Sequence, residues 1–125
     1  MIDTDKIRTI MLSTRKKMEL IAKKESFGKD LCGLCARASA ELFKRLQKNG
    51  YKPYFCFSEA HCFVLLNNYI LDVTATQFGR KSIEIIPFNQ FKRQYWYLGK
   101  GCKHHSLKQA KRIQKRYNWP KDQLI

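Results

Sequence analysis

Residues 61–74 read His-Cys-Phe-Val-Leu-Leu-Asn-Asn-Tyr-Ile-Leu-Asp-Val-Thr. The runs on either side of Asn67-Asn68 are rich in branched and aromatic residues, the composition of strands. Asparagine accepts the positive φ that a two-residue hairpin turn demands, so the stretch predicts a tight antiparallel hairpin. Counting back from the turn, Leu66 pairs with Tyr69, Leu65 with Ile70, Phe63 with Asp72 and His61 with Thr74. Side chains alternate between faces, so His61, Phe63 and Leu65 share one face with Ile70, Asp72 and Thr74. Asp72 becomes the diagonal cross-strand neighbour of His61, about 7–8 Å away between backbone positions, which suits a carboxylate reaching an imidazole nitrogen. The other face carries Cys62, Val64, Leu66, Tyr69, Leu71 and Val73; it is the expected core side. Burying an unpaired carboxylate is costly, and His61 is the simplest partner for Asp72. A structural His–Asp pair, or two exposed side chains, satisfies the same spacing.

Outward from the hairpin, residues 54–57 (Tyr-Phe-Cys-Phe) predict a preceding strand and residues 83–86 (Ile-Glu-Ile-Ile) a following one ended by Pro87. Residues 95–98 read as a fifth strand. Leu34, Ala38, Leu42 and Leu46 recur every four residues and predict a helix over about 34–48, widened by Ala36, Ala40 and Phe43 and stopped by Asn49-Gly50. Ile7, Ile10, Met11, Met18 and Ile21 predict an amphipathic helix over roughly 3–24, with Ser26-Phe27-Gly28 opening a loop. A basic C-terminal helix over about 105–118, with Ser106 as its cap, is expected to turn Leu107, Ala110, Ile113 and Tyr117 inward. Helix–helix–strands–helix is an α+β order, and 125 residues suit one domain.

Cys35 falls near the start of the second helix. There the helix dipole and free backbone N–H groups favour thiolate over thiol, and the same N–H groups suit an oxyanion. Gly33 allows a substrate backbone to approach closely. The small residues Ala36, Ala38 and Ala40 let a sheet pack tightly on this helix, which brings His61 toward the sulfur. A lone buried cysteine is ordinarily inert core, the reading given to Cys56 and Cys62. Cys32, one turn earlier, competes with Cys35 for the role of reactive thiol.

The Gly-x-Cys-x-x-Ala pattern opens a helix, Gly50-Tyr51 follows it, His61 heads a strand, and Leu71-Asp72-x-Thr74 lies on the next. Together these resemble the transglutaminase-like, papain-like cysteine superfamily over roughly residues 31–79, and the tail Thr74-Ala75-Thr76-Gln77-Phe78-Gly79 looks like its small bacterial and phage members. The resemblance implies a papain-like or transglutaminase-like core, with Cys35 as nucleophile, His61 as general base and acid, and Asp72 as orienter. It implies thiol-dependent hydrolysis of, or acyl transfer from, an amide, on a protein or peptide substrate and without a metal or organic cofactor. Phe63 stands where the family often has Trp, and Val73 where it often has Pro.

The chain has a formal net charge of +15, 44% hydrophobic residues and five cysteines. The stretch Met1-Ile2-Asp3-Thr4-Asp5-Lys6 lacks the apolar run of a secretory signal, and no stretch approaches the roughly 18 apolar residues of a membrane span. A soluble, cytoplasmic protein with free thiols is the expectation. After Glu84 the only acid is Asp122, against ten lysines and arginines. That bias predicts either a solvated face or a surface for nucleic acid or an acidic protein. The aromatic residues among those basic ones, from Phe91 to Trp119, suit a non-catalytic binding module as the alternative function. A zinc site built on Cys32-x-x-Cys35 with His61, Cys62, Cys102, His104 and His105 has the ligand types but lacks a matching second pair. Consecutive His61 and Cys62 would also point to opposite faces.

Overall fold

A computed structural model of the chain describes residues 3–28, 34–57, 61–87 and 103–105, together with Arg112 and Lys115. The described elements are α1 (Thr4–Lys24), α2 (Cys35–Lys48), β1 (Tyr54–Phe57), β2 (Cys62–Leu66), β3 (Tyr69–Asp72), a 3-10 turn (Ala75–Phe78), β4 (Glu84–Pro87) and β5 (Lys103–His105). The architecture is α+β.

Helix α1 begins where the Asp3 side chain accepts the Lys6 N–H at 3.1 Å, which satisfies one of the donors that a helix start leaves unpaired. Lys23 and Lys24 close it on the side where the helix dipole favours cations. Its buried residues, Ile7, Met11, Thr14, Arg15, Met18 and Ala22, recur at helical spacing. Helix α2 stops in a Schellman arrangement: Gly50 takes φ 85°, its N–H reaches the Gln47 carbonyl at 3.0 Å, and the Tyr51 N–H reaches the Leu46 carbonyl at 3.1 Å.

The sheet has the order β4-β3-β2-β1-β5, antiparallel throughout. Asn67 (φ 49°) and Asn68 (φ 66°) both adopt the left-handed conformation between β2 and β3, as a type I′ turn requires. They fix the expected register of Leu66 with Tyr69, Leu65 with Ile70 and Val64 with Leu71. Helix α2 lies against β2 and β1 and packs on α1. Ile7, Met11 and Met18 of α1, Ala38, Leu42, Phe43 and Leu46 of α2, and Cys62, Val64, Leu66, Leu71 and Val73 share one buried cluster. Full burial of each large side chain stabilises the fold by about 1.5–3 kcal/mol.

Several boundaries differ from expectation. β3 ends at Asp72 rather than Thr74, because the Asp72 carboxylate takes the Thr74 N–H at 2.8 Å and turns the chain out of the ladder into the 3-10 turn. β4 starts one residue late and includes Pro87, paired with Tyr69; a residue without an N–H is tolerated there because β4 is an edge strand. β5 pairs with β1 through His105, the residue at which the final helix was expected to start. Arg112 and Lys115 are helical and exposed. The strand expected at 95–98, the remainder of the basic helix, Cys32, Gly33 and Cys102 lie outside the described residues.

Candidate functional site

The hairpin brings His61 and Asp72 together. The His61 Nε2 lies 2.7 Å from Asp72 Oδ2, and the two residues are 2% and 1% exposed. Asp72 Oδ1 accepts the Thr74 N–H at 2.8 Å and the Thr74 hydroxyl at 3.3 Å. A buried carboxylate held by three donors is the arrangement that offsets its desolvation. The face that carries the pair is itself closed to solvent: Phe63, Leu65, Ile70 and Thr74 are at most 5% exposed. The His61 and Phe63 rings stand 5.9 Å apart between centroids, which limits the imidazole's room to turn.

With Nε2 occupied by Asp72, Nδ1 is the nitrogen that remains for Cys35, and the thiol and the imidazole lie near enough to shift each other's titration. Cys35 is the first residue of α2 and is partly buried. Leu34, the preceding cap position, gives no side-chain hydrogen bond, and the first turn holds no acidic residue. Among the described residues, neither the cap position nor a first-turn acid offsets the helix-start amides and the positive end of the dipole beside Cys35.

Cys62, the residue after His61, is the largest influence on the same thiol. His61 and Cys62 are consecutive and point to opposite faces.

These neighbours set the charges. Hydrogen bonding from Cys62, joined by the hydrogen bond and charge of His61, outweighs the opposing effect of burial and lowers the Cys35 pKa to about 5. Burial pushes His61 down, but the charge and hydrogen bond of Asp72, helped by Cys35, carry it up to about 9. Between these values the stable form is a Cys35 thiolate beside a His61 imidazolium. Such a pair is a preformed nucleophile with a proton donor at hand.

Two contributors were not singled out from sequence. Arg15, only 6% exposed, donates from Nη1 to the Val73 carbonyl at 3.0 Å and to the Thr76 hydroxyl at 2.8 Å, while its Nε meets Glu19 at 3.1 Å. It clamps the chain on both sides of Thr74, whose groups cradle Asp72. Its signal in the sequence is its place on the buried stripe of α1, between Met11 and Met18. Cys62 is buried as expected of core, and its influence on the Cys35 thiol goes beyond that reading; the sequence had placed the two together only as candidate zinc ligands. Of the zinc candidates, Cys35, His61 and Cys62 lie within the described side chains, and no group of three or more His, Cys, Asp or Glu is arranged there to hold a metal ion. No described helix is long and apolar enough to cross a membrane.

Comparisons of the chain with protein-family models, with curated proteins and with solved structures found no match.

Proposed function

We propose that the protein is a thiol-dependent hydrolase or acyltransferase acting on an amide, with a transglutaminase-like or papain-like core and Cys35, His61 and Asp72 as its catalytic triad. The observation that carries this reading is the His61 imidazole, held at 2.7 Å by a buried Asp72, with the Cys35 sulfur at the start of α2 near enough to interact with it.

In the proposed reaction the Cys35 thiolate adds to the amide carbonyl carbon, and the carbonyl electrons move onto oxygen. The α2 first-turn amides face that developing charge. When the tetrahedral species collapses, the C–N bond breaks and the His61 imidazolium gives its proton to the departing nitrogen. This leaves an acyl-Cys35 thioester and a neutral imidazole. His61 then takes a proton from water or an amine, which attacks the thioester and releases the Cys35 thiolate. Asp72 holds the ring in the orientation and tautomer that both proton transfers need. Attack by water, as in a protease or deamidase, is the first reading; transfer to an amine is the second.

A carbonyl-directed thiol reagent followed by mass-spectrometric mapping tests the assignment. Labelling concentrated on Cys35, and slowed in His61→Ala, supports it; equal labelling of all five cysteines contradicts it. The net charge of +15 and the exposed helical Arg112 and Lys115 favour a binding role for nucleic acid or an acidic protein as the alternative. Salt-dependent binding that survives Cys35→Ala, without any acyl transfer by the wild type, would favour that alternative.

A further inference from the structure

Helix α1 turns Met11, Met18 and Ala22 into the core. Leu12, Lys16, Leu20 and Lys23 follow one another at spacings of four, four and three, so they form a stripe on the opposite side, and all four are exposed. Leu12 is 49% exposed, Leu20 63%, and Phe27, just past the helix, 40%. A single exposed leucine is ordinary, but Leu20 and Phe27 border one hollow of about 620 Å³ together with Lys16, Glu19, Ala22 and Lys23. Clustered apolar side chains beside a hollow mark an interaction surface. Its charge is one-sided. Glu19 is engaged by Arg15 at 3.1 Å, and Glu25, two residues before Phe27, by Arg37 at 2.7 Å. Lys16 and Lys23 have no ion-pair partner among the described residues.

We propose that this outer face of α1 docks an acidic peptide segment of a partner protein, one that carries bulky apolar side chains between its carboxylates. A leucine or phenylalanine of the partner enters the hollow beside Leu20 and Phe27, and flanking carboxylates meet Lys16 and Lys23. Those lysines stand two turns apart, about 10 Å along the helix, close to the span of about three residues of an extended peptide. Acids on either side of a short apolar centre therefore match them. A second copy of the chain is a poor occupant, because a net charge of +15 repels its like. The chain's own sequence after Glu84, with ten lysines and arginines against one acid, would bring like charge to Lys16 and Lys23. A bilayer surface would take the apolar face of α1, and that face is already packed in the core. A nucleic acid would meet the lysines through its phosphates but leave aliphatic Leu12 and Leu20 uncovered. The docking does not depend on the proposed acyl-transfer function.

Fluorescence anisotropy of the full-length chain with a labelled Glu-Glu-Leu-Phe-Glu-Glu peptide tests the site. Two control peptides replace Leu-Phe by Ala-Ala, or every Glu by Lys. The wild type should bind the first peptide about tenfold more tightly than either control. Lys16→Glu combined with Lys23→Glu should weaken that binding by about tenfold. Leu20→Ser should weaken it without any change of net charge. Arg112→Glu combined with Lys115→Glu removes the same amount of charge at other exposed helical positions and should leave the affinity within about twofold at physiological salt. All five substituted positions are exposed, so the variants keep the fold. Equal losses in the two double variants would reduce the binding to net-charge attraction and overturn the proposal. Equal wild-type affinity for the Leu-Phe and Ala-Ala peptides would overturn it as well. Tighter binding of a single-stranded oligonucleotide, or of phosphatidylserine vesicles, that is lost with Lys16 and Lys23 would overturn it in favour of a nucleic acid or a membrane.

Discussion

The Asp72 carboxylate holds the Nε2 side of the His61 imidazole at 2.7 Å in a pocket that leaves neither residue more than 2% exposed. The direction of that bond leaves the ring's other nitrogen to the Cys35 sulfur. The charge of Asp72 is also the leading influence that raises His61. Asp72→Asn should therefore lower the His61 pKa and, through it, raise that of Cys35. Amide turnover should fall by on the order of 10²–10⁴-fold with little change in KM. Unchanged kcat in a folded Asp72→Asn protein would remove Asp72 from the mechanism.

Turnover and thiol reactivity should part company at alkaline pH. In the proposed mechanism His61 must be protonated to expel the leaving nitrogen, and its raised pKa of about 9 marks where that proton is lost. Amide turnover should fall as pH rises through about 9, while alkylation of Cys35, which needs only the thiolate, holds its plateau. Parallel pH–rate profiles of the two reactions check this; a common decline would mean local unfolding rather than titration.

Arg15 carries its charge into the interior to hold the Val73 carbonyl and the Thr76 hydroxyl. Arg15→Met keeps much of the volume but leaves these acceptors without their donor, at about 1–3 kcal/mol. The loosened turn should also displace Thr74 and weaken its grip on Asp72, lifting the pH midpoint of Cys35 alkylation. Arg15→Lys should restore part of both. Denaturant unfolding and alkylation profiles separate the effects; lost stability with an unmoved midpoint would make Arg15 purely structural.

The hairpin turn is a stability determinant as well as a register device. Asn67 and Asn68 both sit at positive φ, where alanine costs roughly 1–2 kcal/mol per residue. Asn67→Ala and Asn68→Ala should each destabilise by about that amount, and Asn68→Gly should be neutral or stabilising. Urea unfolding measures it. Alanine variants as stable as the wild type would contradict the turn geometry.

What was legible in the sequence was local or set by a short turn. Asn67-Asn68 fixed which residues of the hairpin face each other, and from that the meeting of His61 with Asp72. The four-residue spacing of Leu34, Ala38, Leu42 and Leu46 gave the buried face of α2. What was not legible depended on partners distant in sequence. The pairing of β1 with Lys103–His105 has no local signature, since three polar residues do not read as a strand. The end of β3 was set by a side chain competing for a backbone N–H, which alternation alone does not reveal. Arg15 looked like one more basic residue of a basic chain until its partners, Val73 and Thr76, appeared from the far side of the hairpin. Cys62 was assigned to the core correctly by alternation, but alternation says nothing about what lies beyond a strand's first residue.

The most direct measurement is the pH dependence of Cys35 alkylation by a neutral reagent, followed by peptide mapping in the wild type and in His61→Ala. A thiolate stabilised by its neighbours gives a wild-type midpoint near 5 that moves upward toward the ordinary cysteine value of 9.0 when the imidazole is removed. A wild-type midpoint already at the ordinary value, unmoved by His61→Ala, would mean that the sulfur and the imidazole do not work together.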